Sequence, residues 1–369
     1  MKPYGLVLAG GGGKGAYQIG AWKAMREIGV TFNAVAGVSI GSINGALVVA
    51  DDFRAAEEMW NNISLDKGVK IENPLPDPEN LFSMKNWGVL LKEFVKNKGL
   101  DASPVNDFLA PYINEEKVRS AKIPFGIVTV QMSQGNVGGL ELFLKDIPEG
   151  QLLDYLLASS NIPLATNIGP EGERFLDGGI YDNTPVTMLR RSGYNRLVVV
   201  DISSIKGINH NLDFQNCEVI YIRPYDIDDL GASFDFDSET IEKRKMYGYL
   251  DAKKAFSYLL GKIYYFKPEV FRSMVEKYGF KAVSQLEDLA HDLKVDRLFI
   301  YEEQDFLEKT KLAFEKRKKE QQELDMEIEN QAAFSSERDH KYSFIRRFVQ
   351  RRSDNEFRDA IAVLDNIIL

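Results

Sequence analysis

The fold is decided by the stretch YGLVLAGGGGKG (residues 4–15), an apolar run that leads into four consecutive glycines. An apolar run that ends in glycine is typical of a strand buried in a parallel sheet. Residues 16–28 then carry apolar side chains at helical spacing, and Gly29 follows as a stop signal. A second strand over residues 33–38 leads into a second helix over residues 40–50. This part of the chain therefore predicts two consecutive strand–helix units.

Alternating strand and helix signals continue to about residue 225. Further strands are indicated by apolar runs over residues 124–132, 139–144, 174–176, 197–202 and 219–222. Ser103-Pro104 and Thr184-Pro185 mark helix starts, because serine or threonine before proline is common at the first turn of a helix. The succession predicts a three-layer αβα domain with a mostly parallel sheet and helices on both faces.

The composition changes after the last predicted strand. Residues 225–237 are acidic and loop-like, and the spacing of apolar residues then indicates helices over residues 238–260, 268–293 and 305–330. We therefore predict two domains. The first is the α/β domain over residues 1–228, and the second is a mostly helical C-terminal domain over residues 229–369.

The bulk composition argues against several classes of protein. Of 369 residues, 44% are apolar and 27% are charged, which is ordinary for a globular protein. The net charge of −9 argues against nucleic-acid binding, which needs a basic surface. Cys217 is the only cysteine, which rules out an intrachain disulfide and, with three scattered histidines, argues against a zinc site. The N-terminal apolar run is too short for a signal peptide, so we expect a cytoplasmic protein.

The glycine run admits several interpretations. Gly10, Gly12 and Gly15 match the dinucleotide fingerprint G-x-G-x-x-G, but that site also needs an acidic residue at the end of the second strand, where this chain has GVS. A P-loop is excluded because Gly15, rather than serine or threonine, follows Lys14. The run is then either a loop of bare N–H groups that binds an oxyanion or a turn without chemistry. Ordering four adjacent glycines on folding costs considerable chain entropy, which disfavours a turn without chemistry.

Ser39 lies in GVSIG (residues 37–41), one strand–helix unit after the glycine run. The pattern G-x-S-x-G places a serine on a sharp turn between a strand and a helix, with small neighbours that let a carbonyl substrate approach its hydroxyl. The helix N-terminus beneath it favours negative charge at the reacting oxygen. Ser39 is therefore a candidate nucleophile, with an ordinary turn serine as the alternative.

A nucleophilic serine needs a base, and two residues are candidates. The order Ser39, Asp177, His210 matches an α/β-hydrolase triad, although that fold places several strands before its nucleophile. His210 lies in the polar loop NHN (residues 209–211), where a solvated side chain is expected. Asp177 ends an apolar strand in FLDGG (residues 175–179), and the two glycines permit close backbone approach, although Asp-Gly is also a common turn.

Taken together, these motifs resemble those of the patatin-like phospholipases. GGGGKG (residues 10–15) resembles the glycine-rich oxyanion motif of that family, GVSIG its nucleophile elbow, and DGG (residues 177–179) its second catalytic motif. ASSNIP (residues 158–163) resembles the segment ahead of the aspartate. The resemblance covers residues 1 to about 225.

The resemblance implies a patatin-like fold and a serine lipid acyl hydrolase, with Ser39 as nucleophile and Asp177 as base of a Ser–Asp dyad. The oxyanion would be held by the backbone N–H groups of Gly11, Gly12 and Gly13. Lys14 would either contact a lipid phosphate or support the fold of the loop. The implied substrate is a lipid ester, and the mechanism needs no metal or cofactor. The alternative is a non-enzymatic scaffold of this fold whose C-terminal helices bind a partner, a membrane or a ligand.

One C-terminal segment is basic although the whole chain is acidic. HKYSFIRRFVQRR, from His340 to Arg352, contains five Lys/Arg residues and no acidic residue. Phe344, Ile345 and Phe348 fall on one face if the segment is helical. A basic amphipathic helix can dock on an anionic lipid surface, which predicts peripheral contact with the inner membrane face. The alternative is a helix that packs against the C-terminal domain.

Overall fold

The computed structural model describes residues 2–64, 103–133, 136–161, 174–203, 214–332 and 357–367. The chain divides into two compact units, Met1–Ala255 and Phe256–Leu369. The predicted boundary after residue 228 precedes helix α8 (Ser238–Ala255), which packs against α1 (Ala16–Ile28) within the first unit. Among the described residues, no helix combines the length and the apolar composition that a membrane span requires.

The first unit contains a sheet in the order β4-β3-β2-β1-β6-β7, with β5 paired to β3. Its strands are β1 Tyr4–Leu8, β2 Phe32–Val38, β3 Phe125–Ser133, β4 Asn136–Phe143, β5 Arg174–Asp177, β6 Arg196–Val200 and β7 Glu218–Ile222. Strands β3, β2, β1, β6 and β7 are parallel to one another, and β4 and β5 run antiparallel to β3. The prediction of a mostly parallel sheet is confirmed.

Helices flank this sheet on both faces. In the described part of the first unit, the remaining α-helices are α2 Ile40–Val49, α3 Phe53–Asn62, α4 Ser103–Leu109, α5 Glu115–Ser120, α6 Leu152–Ser159 and α7 Val186–Arg191. Successive side chains of a strand point to opposite faces. Ala36 and Val38 of β2 pack with Leu189 of α7 on one face. Val35 points to the other face, where a Cβ added at Gly45 of α2 would lie 3.3 Å from it. The predicted three-layer αβα arrangement is therefore confirmed.

One edge of β3 is shared by two strands, and this sharing positions the site described below. The first half of β3 pairs in parallel with β2, and the last pair is Val38 with Val128. The next residue, Thr129, begins the antiparallel pairing with β5, and its partner is Asp177. The carboxyl ends of β2 and β5 therefore meet at this point on β3.

Helix α8 belongs to the first unit because its backbone lies against that of α1. A Cβ added at Gly20 of α1 would lie 1.8 Å from the carbonyl oxygen of Lys245, and one added at Gly248 would lie 1.9 Å from that of Tyr17. The hydroxyl of Tyr17 also donates a buried 2.8 Å hydrogen bond to Asp251. Only glycine allows the two helices to come this close.

The second unit is mostly helical, as predicted, and has its own core. Outside residues 333–356 and 368–369, its α-helices are α9 Pro268–Tyr278, α10 Phe280–Asp292, α11 Glu303–Ala332 and α12 Arg358–Asp365. Its strands there are β8 Tyr265–Phe266 and β9 Ile300–Tyr301. The single helix predicted over residues 268–293 is wrong, because Gly279 adopts φ 84° and ψ 148° and separates α9 from α10. Buried aromatic rings, including Tyr264, Phe266 and Phe306, form much of the core.

The α1–α8 contact yields a stability prediction in which two effects oppose each other. Helix propensity alone makes Gly20→Ala stabilising by about 1 kcal/mol. The collision with the Lys245 backbone is stronger, because overpacking in a close contact costs about 1–3 kcal/mol and a backbone atom cannot rotate away. Because the added Cβ would lie 1.8 Å from a backbone oxygen, the upper end of that range applies, and we expect Gly20→Ala to lower the free energy of unfolding by about 2 kcal/mol in urea denaturation.

Gly138→Ala is the matched control for this prediction. Gly138 lies on the edge strand β4, and an added Cβ would meet no atom within 4 Å. Its effect should stay within about 0.5 kcal/mol. A Gly20→Ala variant as stable as the unchanged protein would contradict the close packing of α1 against α8.

Candidate active site

Ser39 lies on a strained turn between β2 and α2. Its backbone adopts φ 54° and ψ −133°, a left-handed region that few residues other than glycine occupy. A Cβ at Gly37 would lie 2.3 Å from the carbonyl oxygen of Gly41, and a Cβ at Gly41 would lie 2.3 Å from that of Leu8. The two glycines of GVSIG are therefore what allows the turn to close around the serine.

The hydroxyl of Ser39 donates a 2.6 Å hydrogen bond to Oδ2 of Asp177. The two residues are 138 positions apart in the chain and meet because β2 and β5 end at adjacent positions on β3. Gly178 permits this junction, since a Cβ there would lie 2.1 Å from the carbonyl oxygen of Val128. The structure thus brings together the serine and the aspartate that the sequence singled out.

Asp177 is held as a hydrogen-bond acceptor at a half-buried position. Its Oδ1 accepts a 2.7 Å hydrogen bond from the N–H of Gly179, and its Oδ2 accepts the bond from Ser39. The pKa of Asp177 is raised from 3.8 to about 6, because the effect of burial, which raises it, exceeds that of the two hydrogen bonds, which lower it. The carboxylate is therefore more basic than an ordinary aspartate but still ionised at neutral pH.

Ser159, at the end of α6, completes the hydrogen bonding where β2 stops. Its hydroxyl accepts a 2.9 Å hydrogen bond from the N–H of Ser39 and donates a 2.6 Å bond to the carbonyl oxygen of Val128. Two buried backbone groups left unpaired by the strained turn are thereby satisfied. The carbonyl oxygen of Asn161 in turn accepts the N–H of Asp177 at 2.8 Å. Ser159 and Asn161 of ASSNIP thus support the two members of the pair, a role that the sequence alone does not reveal.

The glycine loop passes directly beside Ser39. A Cβ added at Gly10 would lie 3.2 Å from Cβ of Ser39. Asn183 holds Gly10 on both sides, since its carbonyl oxygen accepts the Gly10 N–H at 3.2 Å and its side-chain amide donates to the Gly10 carbonyl at 3.3 Å. Asn183 was not predicted from the sequence, where it looks like one more polar residue of a turn.

The predicted oxyanion donors Gly11, Gly12 and Gly13 differ in their availability. The N–H of Gly13 donates a 2.6 Å hydrogen bond to the carbonyl oxygen of Ser233. Within the described part of the chain, the N–H groups of Gly11 and Gly12 have no hydrogen-bond acceptor. In this conformation Gly13 is therefore engaged, and two of the three predicted donors remain available.

Lys14 is only 4% exposed. Burial lowers the pKa of its ammonium group, the nearby charge of Arg244 lowers it further, and Asp228 acts in the opposite direction. A buried ammonium group among protein charges favours the alternative in which Lys14 supports the fold of the loop. Contact with a lipid phosphate would require the side chain to reach the surface.

Two residue sets that the sequence singled out lie outside the described residues. These are His210, the alternative base, and the basic segment from His340 to Arg352. The described residues contain no cluster of three or more His, Cys, Asp or Glu side chains suited to hold a metal ion.

Comparison with known proteins adds a family match to this geometry. A family model described as patatin-like phospholipase matches residues 6–190, about half of the chain. Lysophospholipase NTE1 of Cryptococcus neoformans is 28% identical over 205 residues, which cover 54% of this chain and 11% of that protein. Patatin-like phospholipase domain-containing protein ZK370.4 of Caenorhabditis elegans is 26% identical over 217 residues, which cover 56% of this chain and 14% of that protein.

These curated relatives are much longer, and the chain spans only a small part of their length. Among solved structures, VipD from Legionella pneumophila aligns with 84% of this chain and 80% of its own, at 15% identity and a TM-score of 0.42. That structural similarity is too low to support an inference about function.

The raised pKa of Asp177 predicts how the reactivity of Ser39 depends on pH. A carboxylate can accept the serine proton only when it is ionised, so reactivity should rise with pH through an apparent pKa of about 6. We expect the rate of Ser39 labelling by a fluorophosphonate to increase about tenfold per pH unit below 6 and to level off above 7. Ser39→Ala is the unlabelled control. A rate that is already constant at pH 5 would contradict the raised pKa.

The same pKa predicts a stability effect. A carboxyl group with a higher pKa in the folded state binds more protons there than in the unfolded chain between about pH 4 and 6, so stability falls as pH rises through that window. Asp177→Asn is nearly isosteric and carries no charge. We expect its Tm to exceed that of the unchanged protein at pH 7, with the difference shrinking toward pH 4. A Tm difference that does not vary with pH would contradict this linkage.

Proposed function

The chain belongs to the patatin-like phospholipase family, and from that premise we propose that it is a serine lipid acyl hydrolase acting on carboxylic esters of phospholipids or lysophospholipids. The observation that carries the proposal is the 2.6 Å hydrogen bond from the hydroxyl of Ser39, on its strained turn, to the carboxylate of Asp177. The lysophospholipase relatives support a lipid ester as the substrate class.

In the first half of the reaction, Ser39 becomes acylated. Asp177 accepts the proton of the Ser39 hydroxyl while the serine oxygen attacks the ester carbonyl carbon. Negative charge then develops on the former carbonyl oxygen, where the free N–H groups of Gly11 and Gly12 are the donors that we assign. When the tetrahedral intermediate collapses, the bond to the leaving alcohol breaks, and that alcohol takes the proton from Asp177.

In the second half, water releases the acyl group. Asp177 accepts a proton from a water molecule, which attacks the acyl carbon and regenerates the same oxyanion. The serine oxygen leaves and recovers its proton from Asp177, and the fatty acid departs. The protein returns to its starting protonation state, so one ester bond and one water molecule are consumed in each turnover.

An aspartate can serve as base here because of its environment. The pKa of about 6 makes the carboxylate a stronger base than a solvated one while leaving it mostly ionised at neutral pH. A bound acyl chain would exclude further water and increase this basicity. No histidine is then required next to the serine.

Two sequence-based expectations complete the proposal. A basic amphipathic segment from His340 to Arg352 would give peripheral contact with an anionic membrane surface, where lipid substrate is found. A cytoplasmic location is consistent with a single cysteine, Cys217, and no disulfide.

The decisive experiment compares four proteins on mixed lipid vesicles and on a water-soluble chromogenic ester. The unchanged protein should release fatty acid from specific lipids, identified by mass spectrometry. Ser39→Ala and Asp177→Asn should each lower kcat by at least about 10³-fold, because each removes one half of a mutually dependent pair.

Ser192→Ala is the matched control, since Ser192 is an exposed serine whose hydroxyl only caps the end of α7. It should keep full activity. If the unchanged protein neither cleaves any ester nor reacts with a fluorophosphonate, the chain is a non-enzymatic scaffold instead. An active Asp177→Asn variant would point to a different base.

A further inference from the structure

The oxyanion loop is anchored at both of its ends. At one end, Asn183 binds both the N–H and the carbonyl of Gly10. At the other end, the carbonyl of Ser233 accepts the N–H of Gly13 at 2.6 Å. Gly11 and Gly12, whose N–H groups have no acceptor among the residues that the structure describes, lie between these anchors. Because consecutive glycines have the greatest backbone freedom of any residues, such a loop depends on its anchors to hold its N–H groups in one direction.

The second anchor lies beyond the residues that match the family model, which end at residue 190. Ser233 belongs to the loop of residues 230–235, which follows β7 and precedes α8. A backbone carbonyl on a loop can hold Gly13 in place only if the loop itself has a fixed shape. The residue that gives the loop its shape is therefore the one that controls this anchor.

Arg244 of α8 fixes that loop. Its side chain is fully buried, and its three guanidinium nitrogens each donate to a different carbonyl of the loop. The acceptors are the carbonyl oxygens of Leu230 at 2.7 Å, Ala232 at 2.7 Å and Asp235 at 2.6 Å. A planar guanidinium group holds several acceptors in a rigid arrangement, which a lysine ammonium group cannot reproduce.

The guanidinium also touches the glycine loop itself. A Cβ added at Gly13 would lie 2.8 Å from Nη1 of Arg244 and 2.7 Å from the carbonyl oxygen of Asp235. A Cβ added at Gly12 would lie 2.5 Å from the carbonyl oxygen of Ser233. The guanidinium, the loop of residues 230–235 and the glycine loop are thus in direct contact, and a displacement of one is transmitted to the others.

The burial of this charge indicates that its contacts are strong. Removing an arginine from water is costly, and burial lowers the pKa of the Arg244 guanidinium to about 10, so the group still carries its charge at neutral pH. Three charge-assisted hydrogen bonds to carbonyl oxygens offset that cost.

We propose that Arg244 is a positioning residue for the oxyanion site. It acts through the loop of residues 230–235, whose Ser233 carbonyl holds the Gly13 N–H, and thereby keeps the N–H groups of Gly11 and Gly12 directed at the developing oxyanion. The inference rests on the proposed hydrolase function. It also makes α8, outside the family match, a required part of the catalytic unit.

The test compares a short chromogenic ester with its thiono analogue, in which sulfur replaces the carbonyl oxygen. Sulfur is larger and a weaker acceptor, so a well-ordered pair of N–H donors favours the oxygen ester. Arg244→Lys keeps the positive charge but loses the planar set of three donors. We expect kcat for the oxygen ester to fall about 10- to 100-fold, since a displacement of catalytic groups by about 1 Å can reduce the rate 10²-fold. The thiono ester should be affected much less, so the ratio of the two rates should fall.

Arg297→Lys is the matched control. Arg297 is also a buried arginine that donates to a backbone carbonyl, that of Ile263, but it belongs to the second unit. Its replacement should lower the Tm and leave the ester ratio unchanged. If Arg244→Lys does not fold, Gly13→Ala probes the same contact from the glycine loop and should reduce the ratio in the same way.

The deciding variant is Arg244→Lys or, where that variant does not fold, Gly13→Ala. If it slows both esters equally, or slows neither, the inference is overturned, because Arg244 is then only a structural residue. Failure of the proposed function has a different signature. In that case the unchanged protein and Ser39→Ala would have the same rate on the oxygen ester, and the inference would fall with the function on which it rests.

Discussion

The arrangement of the site depends on one edge of β3 that two strands share. β2 occupies the first half of this edge and stops at Val38, and β5 occupies the second half and stops at Asp177. Their ends meet, which places the hydroxyl of Ser39 2.6 Å from the carboxylate of Asp177. Backbone pairing along β3 therefore provides the rigidity that the proposed catalytic pair needs, and no long flexible side chain is required.

The same junction concentrates features that are costly for stability. Ser39 has a left-handed backbone, and burial raises the pKa of Asp177 and so disfavours its charged form. The surrounding structure holds both features in place, since Ser159 pairs the backbone of the turn and the Gly179 N–H binds the carboxylate. Strain and desolvation of this kind persist where reactivity depends on them, and they are reduced elsewhere in a fold.

The glycine loop connects the site to residues outside the sequence motifs. Among the described residues, backbone hydrogen bonds hold it through Asn183 at one end and Ser233 at the other, and we propose that these anchors direct its donors. The second contact depends on Arg244, a residue of α8 that packs on α1 through Gly20 and Gly248. The first compact unit consequently extends to Ala255, and in this proposal the close packing of α1 against α8 contributes to the geometry of the glycine loop.

The amino-acid sequence by itself indicated the strand–helix order and the turn at Ser39, because periodicity and glycine spacing are local properties. It singled out Asp177 as one of two candidate bases, and the resemblance to the family implied its pairing with Ser39. Only the tertiary structure decided that the Gly13 donor is engaged, that Lys14 is buried and that Arg244 supports the loop. It also showed two helices separated at Gly279 where the sequence predicted one helix over residues 268–293. These features depend on which carbonyls and charges of distant segments lie nearby, and such contacts leave no pattern in the neighbouring sequence.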